Sequence, residues 1–384
     1  MRIKLVVIAL LLTAVNTSSC QDKKQTTNQT ETRSEAIHIL RSGLFKNYTP
    51  KKIQVADFIE HYFNLMYDST LERRNALWDS KILTHQQDFL LKGNFEKGFF
   101  IHYQPKILGI RNLENNVFEA KLEIEQEGFT YKIMNLLISF DGLNRPYFID
   151  CLGENLEDFT PSKTDNLTFL YSKKVQKNDS LEQKMVVFNE KMANLFNLPQ
   201  KKISVIVLKD LKDYSELLGY DYMTFLTYDG QTGGIAMPQE NILFSANNSP
   251  YYPHELVHLY TANFDAHYWF DEGCATYLGG SVEYPLEYHL RKIASQMDSL
   301  NFSNLPEDTK LDDDTNLKYA IGGLFCKLAM EEFGGKESVF KLLNSGKADE
   351  EFHAALKAVF GIEQTDYDSF VREKLRKYEI NDKE

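Results

Sequence analysis

The alternation of apolar and polar positions changes period several times along this 384-residue chain, and each change marks an expected element. Val55, Phe58, Tyr62 and Leu65 recur at three and four positions, the buried stripe of an amphipathic helix. Phe118, Ala120, Leu122 and Ile124 alternate with charged or polar neighbours, which reads as a half-buried strand. Gly128 breaks that run, Phe129 to Phe140 resumes it, and Asp141-Gly142 turns the chain towards Tyr147-Phe148-Ile149. A second series starts near Thr160-Pro161. Asn166 to Val175 reads as a strand, and Ser180 with Gln183 forms a capping box. The helix opened there carries Leu181, Met185, Phe188, Met192 and Leu195 on one face, and Pro199 ends the segment. Ile203 to Leu208 is a buried strand, Asp210 to Leu218 a short helix, and Gly233–Met237 with Ile242–Phe244 a strand pair. The remainder is helical, with Tyr319 to Phe333 ending at Gly334-Gly335.

The expected class is α+β, in two regions. Residues 37–160 form a small domain of helix followed by antiparallel meander, an element order that resembles the cone-shaped NTF2-like fold. Residues 161–384 form a second domain, a small sheet followed by a helical half.

The first 36 residues belong to neither. Arg2 and Lys4 precede an apolar stretch, Leu5 to Val15, too short to span a bilayer and of signal-peptide length. Thr17-Ser18-Ser19-Cys20 then resembles the lipobox of bacterial lipoproteins, with a smaller residue than usual at position 17. That resemblance implies cleavage after residue 19, lipidation of Cys20 and membrane attachment in the bacterial cell envelope. The other reading is a plain secretory signal with an incidental cysteine. Residues 20–36 are nearly all polar and read as a tether.

Composition narrows the chemistry. A formal net charge of -12 argues against nucleic-acid partners, whose phosphates demand a basic surface. Cys151, Cys274 and Cys326 remain beside Cys20, widely spaced and without a disulfide framework.

One stretch carries chemistry: His254-Glu255-Leu256-Val257-His258. Histidines four apart lie about 40° apart around a helix, so both imidazoles reach one point beside it. Glu255 points close to the same side. Two nitrogen ligands with a carboxylate beside the metal's water are what a zinc hydrolase needs, so the expected cofactor is Zn2+. Ordinary helix histidines are the bland alternative.

Together with Trp269-Phe270-Asp271-Glu272-Gly273-Cys274-Ala275-Thr276-Tyr277, the motif is similar to gluzincin, peptidase MA-like zinc metallopeptidases, which include relatives of the aminopeptidase N family. The resemblance implies a zincin-type domain, peptide or protein substrates, and Glu272 as third zinc ligand. The 13 residues between His258 and Glu272 are fewer than in aminopeptidase N or thermolysin relatives. A metzincin would need glycine and histidine where Thr261 and Phe264 stand. Asp265 or Asp271 would serve in an aspzincin-like site, although Asp271 also suits the first turn of a helix, and His267 adds a loop imidazole. Glu255 is then general base and later acid. Aminopeptidase N relatives supply a tyrosine to the oxyanion, which points to Tyr319 here, with core packing as its other role. Where thermolysin relatives orient a ligand histidine with an aspartate, this chain has Thr276. Gly233–Met237 is either an edge strand for extended peptide or a simple hairpin. Glu240-Asn241 is similar to the amine-holding motif of aminopeptidases but differs in order, and no exopeptidase specificity follows from it. The rival to catalysis is a non-catalytic envelope binding lipoprotein on a zincin scaffold, distinguished by the lack of chelator-sensitive hydrolysis.

Overall fold

The computed structural model describes residues 39–41, 46–68, 76–79, 103–223, 230–305 and 311–379. The expected signal peptide, tether and Cys20 lie outside the described residues. No helix among the described residues is long and apolar enough to cross a membrane. The described residues form a mixed α+β fold with two sheets, divided into two compact units.

One unit comprises the described residues up to 158 together with 211–223. Its elements are β1 (Leu40–Arg41), α1 (Pro50–Asp68), β2 (Tyr103–Asn112), β3 (Phe118–Gln126), β4 (Phe129–Phe140), β5 (Pro146–Ile149) and α2 (Cys151–Leu156). Strands β2 to β5 run as an antiparallel meander, and β1 adds to β2 in parallel. The alternation read at Phe118, Ala120, Leu122 and Ile124 is the alternation of burial in β3. Phe58 and Tyr62 of α1 pack with Trp78 around Phe148 of β5, at ring separations of 4.6 to 4.8 Å. Aromatic rings at such distances contribute beyond the area they bury. One residue breaks the chemical pattern of this core. Lys132 lies in phase with Met134, Leu136, Ile138 and Phe140 on the buried face of β4.

The second unit holds 159–210 and 230–379. It comprises β6 (Thr160–Lys163), β7 (Leu167–Tyr171), α3 (Asp179–Phe196) and β8 (Ile203–Leu208), then β10 (Gly233–Met237) and β11 (Ile242–Ala246). The sheet order is β10-β11-β8-β7-β6; β7, β8 and β11 are parallel, and the outer strands β6 and β10 antiparallel to their neighbours. The helical half follows: α5 (Pro253–Thr261), α6 (Tyr268–Gly279), α7 (Leu286–Ala294), α8 (Leu317–Glu331), α9 (Lys336–Leu343), α10 (Asp349–Phe360) and α11 (Tyr367–Leu375).

Two differences from the sequence reading have clear causes. The segment between the two parts of this unit, α4 (Leu211–Leu217) and β9 (Tyr220–Met223), belongs to the first unit, because β9 pairs with Lys132–Met134 of β4. The expected domain 161–384 is therefore interrupted. Helix α3 also starts before Ser180: Asn178 is its cap and accepts from the Leu181 amide at 3.1 Å.

Helices α6 and α8 cross in backbone contact. A Cβ on Gly273 would collide with the backbone of Gly322, and one on Gly322 with the carbonyl of Trp269. Only paired glycines permit that approach. It sets how close residues at the starts of the two helices come.

Candidate metal centre

Pro253 occupies the first turn of α5, where its missing amide hydrogen costs nothing. Leu256, Val257, Leu259 and Tyr260 bury one side of that helix, and Tyr260 is tied to Asn189 of α3 by a 2.7 Å bond. The other side carries His254 and His258. Helix α6 brings Glu272 to the same point, 6% exposed. His267 caps α6 by accepting from the Trp269 amide at 3.3 Å and lies 3.3 Å from Asp349, so it is a structural cap.

His254 Nε2, His258 Nε2 and Glu272 Oε2 form a nearly equilateral triangle. The sides are 3.2 Å (His254–Glu272), 3.3 Å (His254–His258) and 3.6 Å (His258–Glu272). Tetrahedral zinc with bonds of about 2.0–2.2 Å requires ligand atoms about 3.3–3.6 Å apart. These three residues therefore fit Zn2+, and they are the group of metal-ligating side chains found among the described residues.

Neighbours determine which imidazole nitrogens face that point. His254 Nδ1–H donates to the carbonyl of Gly280 at 2.7 Å, which leaves Nε2 bare. His258 Nδ1 lies 3.4 Å from Asp271 Oδ2, and Asp271 Oδ1 accepts from Thr261 Oγ1 at 2.7 Å. Asp271 is thus a carboxylate placed to orient the His258 ring from behind. Sequence reading gave it a first-turn role and looked for this function at Thr276. Thr276 is fully buried, and its hydroxyl has no hydrogen-bond partner among the described residues. Asp271 stands immediately before Glu272, and no signal in the sequence separates the roles of the two acids.

The remaining expected residues separate cleanly. Asp265 pairs with Lys347 at 3.8 Å on the exposed surface, outside the triangle. Cys274 is fully buried against Cys326. Glu240 falls in the β10–β11 turn.

Charge follows from the packing. Burial would lower the pKa of His258, but Asp271 and Glu272 outweigh it and hold the imidazole well above its usual value. Burial would likewise raise Glu272, yet His258 and His254 hold its carboxyl well below the usual range. Glu255 goes the other way: burial raises it, against the pull of His254 and His258 and a bond from the Ala236 amide. That amide belongs to β10, which lies directly against the helix. A Cβ on Gly234 would strike the Tyr252 ring and come within 2.5 Å of Glu255 Cγ. The edge strand therefore holds Glu255 in place.

Tyr319 stands on the third side. Its ring stacks on His254 with centroids 6.1 Å apart, and its hydroxyl lies 2.9 Å from that of Tyr268. Burial, then the nearby Glu272 charge, raises its pKa well above the usual phenol value.

No family model and no curated protein matches the chain. Among solved structures it is similar to a two-domain M1 zinc metallopeptidase variant bound to L-tryptophan, at 11% identity and a TM-score of 0.34. That match covers 72% of this chain and 62% of the other. It is also similar to the M1 zinc metallopeptidase from Deinococcus radiodurans, at 12% identity and a TM-score of 0.31, covering 72% of this chain and 62% of that one. The chain thus spans under two thirds of these neighbours' length. A likeness this distant carries no argument about the site, which stands on its own geometry.

Proposed function

We propose that the chain is a zinc-dependent metallopeptidase of gluzincin type on a zincin-like domain, anchored to the bacterial cell envelope through a lipid on Cys20. The observation that carries this reading is the triangle of His254, His258 and Glu272, with sides of 3.2 to 3.6 Å and both Nε2 atoms turned inward. Those three residues would hold zinc. When bound, zinc lowers the pKa of a water at its open position and polarises the scissile carbonyl.

The protein's own groups supply the rest. Glu255 accepts the proton of the attacking water and passes it to the leaving amine. Its pKa, raised by burial, suits both directions of that transfer. Tyr319 donates to the oxyanion that develops on the peptide carbonyl. Ala236 fixes Glu255, Gly280 fixes His254, and Asp271 fixes His258, so these three groups each have a partner behind them.

Zinc content of the purified protein, together with cleavage of a peptide library, tests the reading. The expected result is one zinc per chain, lost in His258→Ala and retained in Glu255→Gln, with cleavage abolished in both. A Glu255→Gln protein that still cleaves at the wild-type rate would sink the mechanism. Tight ligand binding without chelator-sensitive hydrolysis would favour a non-catalytic binding lipoprotein instead. The anchor rests on Thr17-Ser18-Ser19-Cys20, and Cys20→Ser should shift the protein from the membrane to the soluble fraction. An unchanged distribution would overturn the anchor alone.

A further inference from the structure

Tyr268 has no part in holding a metal, yet its hydroxyl meets that of Tyr319 at 2.9 Å. The pairing is set by backbone. Tyr319 lies one turn before Gly322, and Tyr268 adjoins Trp269, whose carbonyl abuts Gly322 at the crossing of α6 and α8. That backbone contact fixes the positions from which the two side chains start. Behind the pair, Lys318 is only 6% exposed, with Nζ 4.6 Å from the centroid of the Tyr268 ring. Asn316 caps α8 through a 3.0 Å bond to the Lys318 amide, which fixes where that side chain starts.

We propose that Tyr268, with Lys318 on its ring face, is the positioning residue for Tyr319 and aims the Tyr319 proton at the oxyanion of a cleaved peptide. This rests on the peptidase reading above. Either hydroxyl of the pair can donate to the other. Negative charge growing on the substrate oxygen attracts the Tyr319 proton, and the Tyr319 oxygen then accepts from Tyr268. A hydroxyl that accepts one bond donates a second more strongly, so the chain of two reinforces itself. The electron density drawn onto the Tyr268 ring sits under the Lys318 ammonium, the favourable cation–π arrangement.

The test uses the zinc-loaded full chain and a fluorogenic peptide drawn from the library cleavage. Tyr319→Phe should lower kcat about 100-fold, the usual cost of an oxyanion donor. Tyr268→Phe should lower kcat about tenfold, the worth of one net hydrogen bond, with KM within about twofold. The double variant should match Tyr319→Phe alone, because Tyr268 acts only through Tyr319. Unchanged kcat in Tyr268→Phe, or losses that multiply in the double variant, would overturn the proposal.

If the zinc-loaded wild type cleaves no peptide, the peptidase reading fails, and the pair is read separately. With 3-fluorotyrosine at position 319, Tyr268→Phe should shift the 19F resonance and Tyr277→Phe should leave it in place. A resonance unmoved by Tyr268→Phe overturns the pairing itself.

Discussion

Replacing Asp271 with asparagine separates the carboxylate behind His258 from the proposed metal ligands. The change keeps the volume and the place in α6 but removes the charge and one of the two acceptors. Asp271 serves two partners at once, His258 at 3.4 Å and Thr261 at 2.7 Å. Asparagine has one carbonyl oxygen for both. Loss of such a partner typically weakens metal affinity about 10- to 100-fold. The 3.4 Å separation exceeds the usual range of about 2.7–3.2 Å, which places the loss near the lower end, about tenfold or ~1.4 kcal/mol.

A second effect opposes it at acid pH. Asp271 helps hold the His258 pKa above its usual value, so in the wild type a proton competes with zinc as pH falls through that raised value. Asparagine lets the pKa fall and moves this competition to lower pH. The variant's deficit should therefore be widest at the alkaline end and narrow on acidification. Competition for zinc against a chromophoric chelator, followed from about pH 9 to pH 6, reads both effects. Asp265→Asn is the control, because that carboxylate lies on the surface beside Lys347. Equal affinities of wild type and Asp271→Asn across the whole range would refute the reasoning. So would a loss above about 1,000-fold, which would make Asp271 a ligand in its own right.

Two further outcomes follow from the packing. Lys132 is fully buried, and burial lowers its pKa from 10.5 to about 7, equivalent to about 5 kcal/mol. A lowered lysine pKa means the unfolded chain binds more protons between pH 7 and 10.5, so stability should climb with pH across that window. Lys132→Met should flatten the climb and raise the urea midpoint at pH 7; parallel pH curves for the two proteins would exclude Lys132 as the titrating group. Gly273→Ala should destabilise by about 3 kcal/mol despite alanine's better helix propensity, because the added methyl strikes Gly322. Urea unfolding measures it, and stability equal to or above the wild type would contradict the close crossing of α6 and α8.

Elements whose burial alternates in one direction were legible in the chain. Phe118, Ala120, Leu122 and Ile124 predicted β3 because one face of that strand is apolar and buried while the other is half-exposed. The helix bearing His254 and His258 was legible because ligand spacing is a property of one helix. What depends on contacts between distant segments was not. Asp271 and Glu272 are neighbours in sequence and both acidic; only the path of α6 across α5 gives one the metal point and the other the back of His258. Tyr268 could not be distinguished from the other tyrosines until α8 supplied Tyr319. Lys132 shares the period of Met134, Leu136, Ile138 and Phe140, but its charge argues for solvent, and only the folded sheet decides for burial.

The pairing of β9 with β4 also has a consequence for how the protein is made. The first unit's sheet is finished by residues that follow position 210, so a ribosome delivers most of that unit well before its last strand. At ordinary synthesis rates the 65 residues from 159 to 223 take about 3 to 13 s. During that interval the Lys132–Met134 edge is unpaired and open to the wrong strand. A gene cut at residue 158 makes the delay permanent, and such a fragment should aggregate unless Leu211–Met223 is supplied by a linker or a second chain.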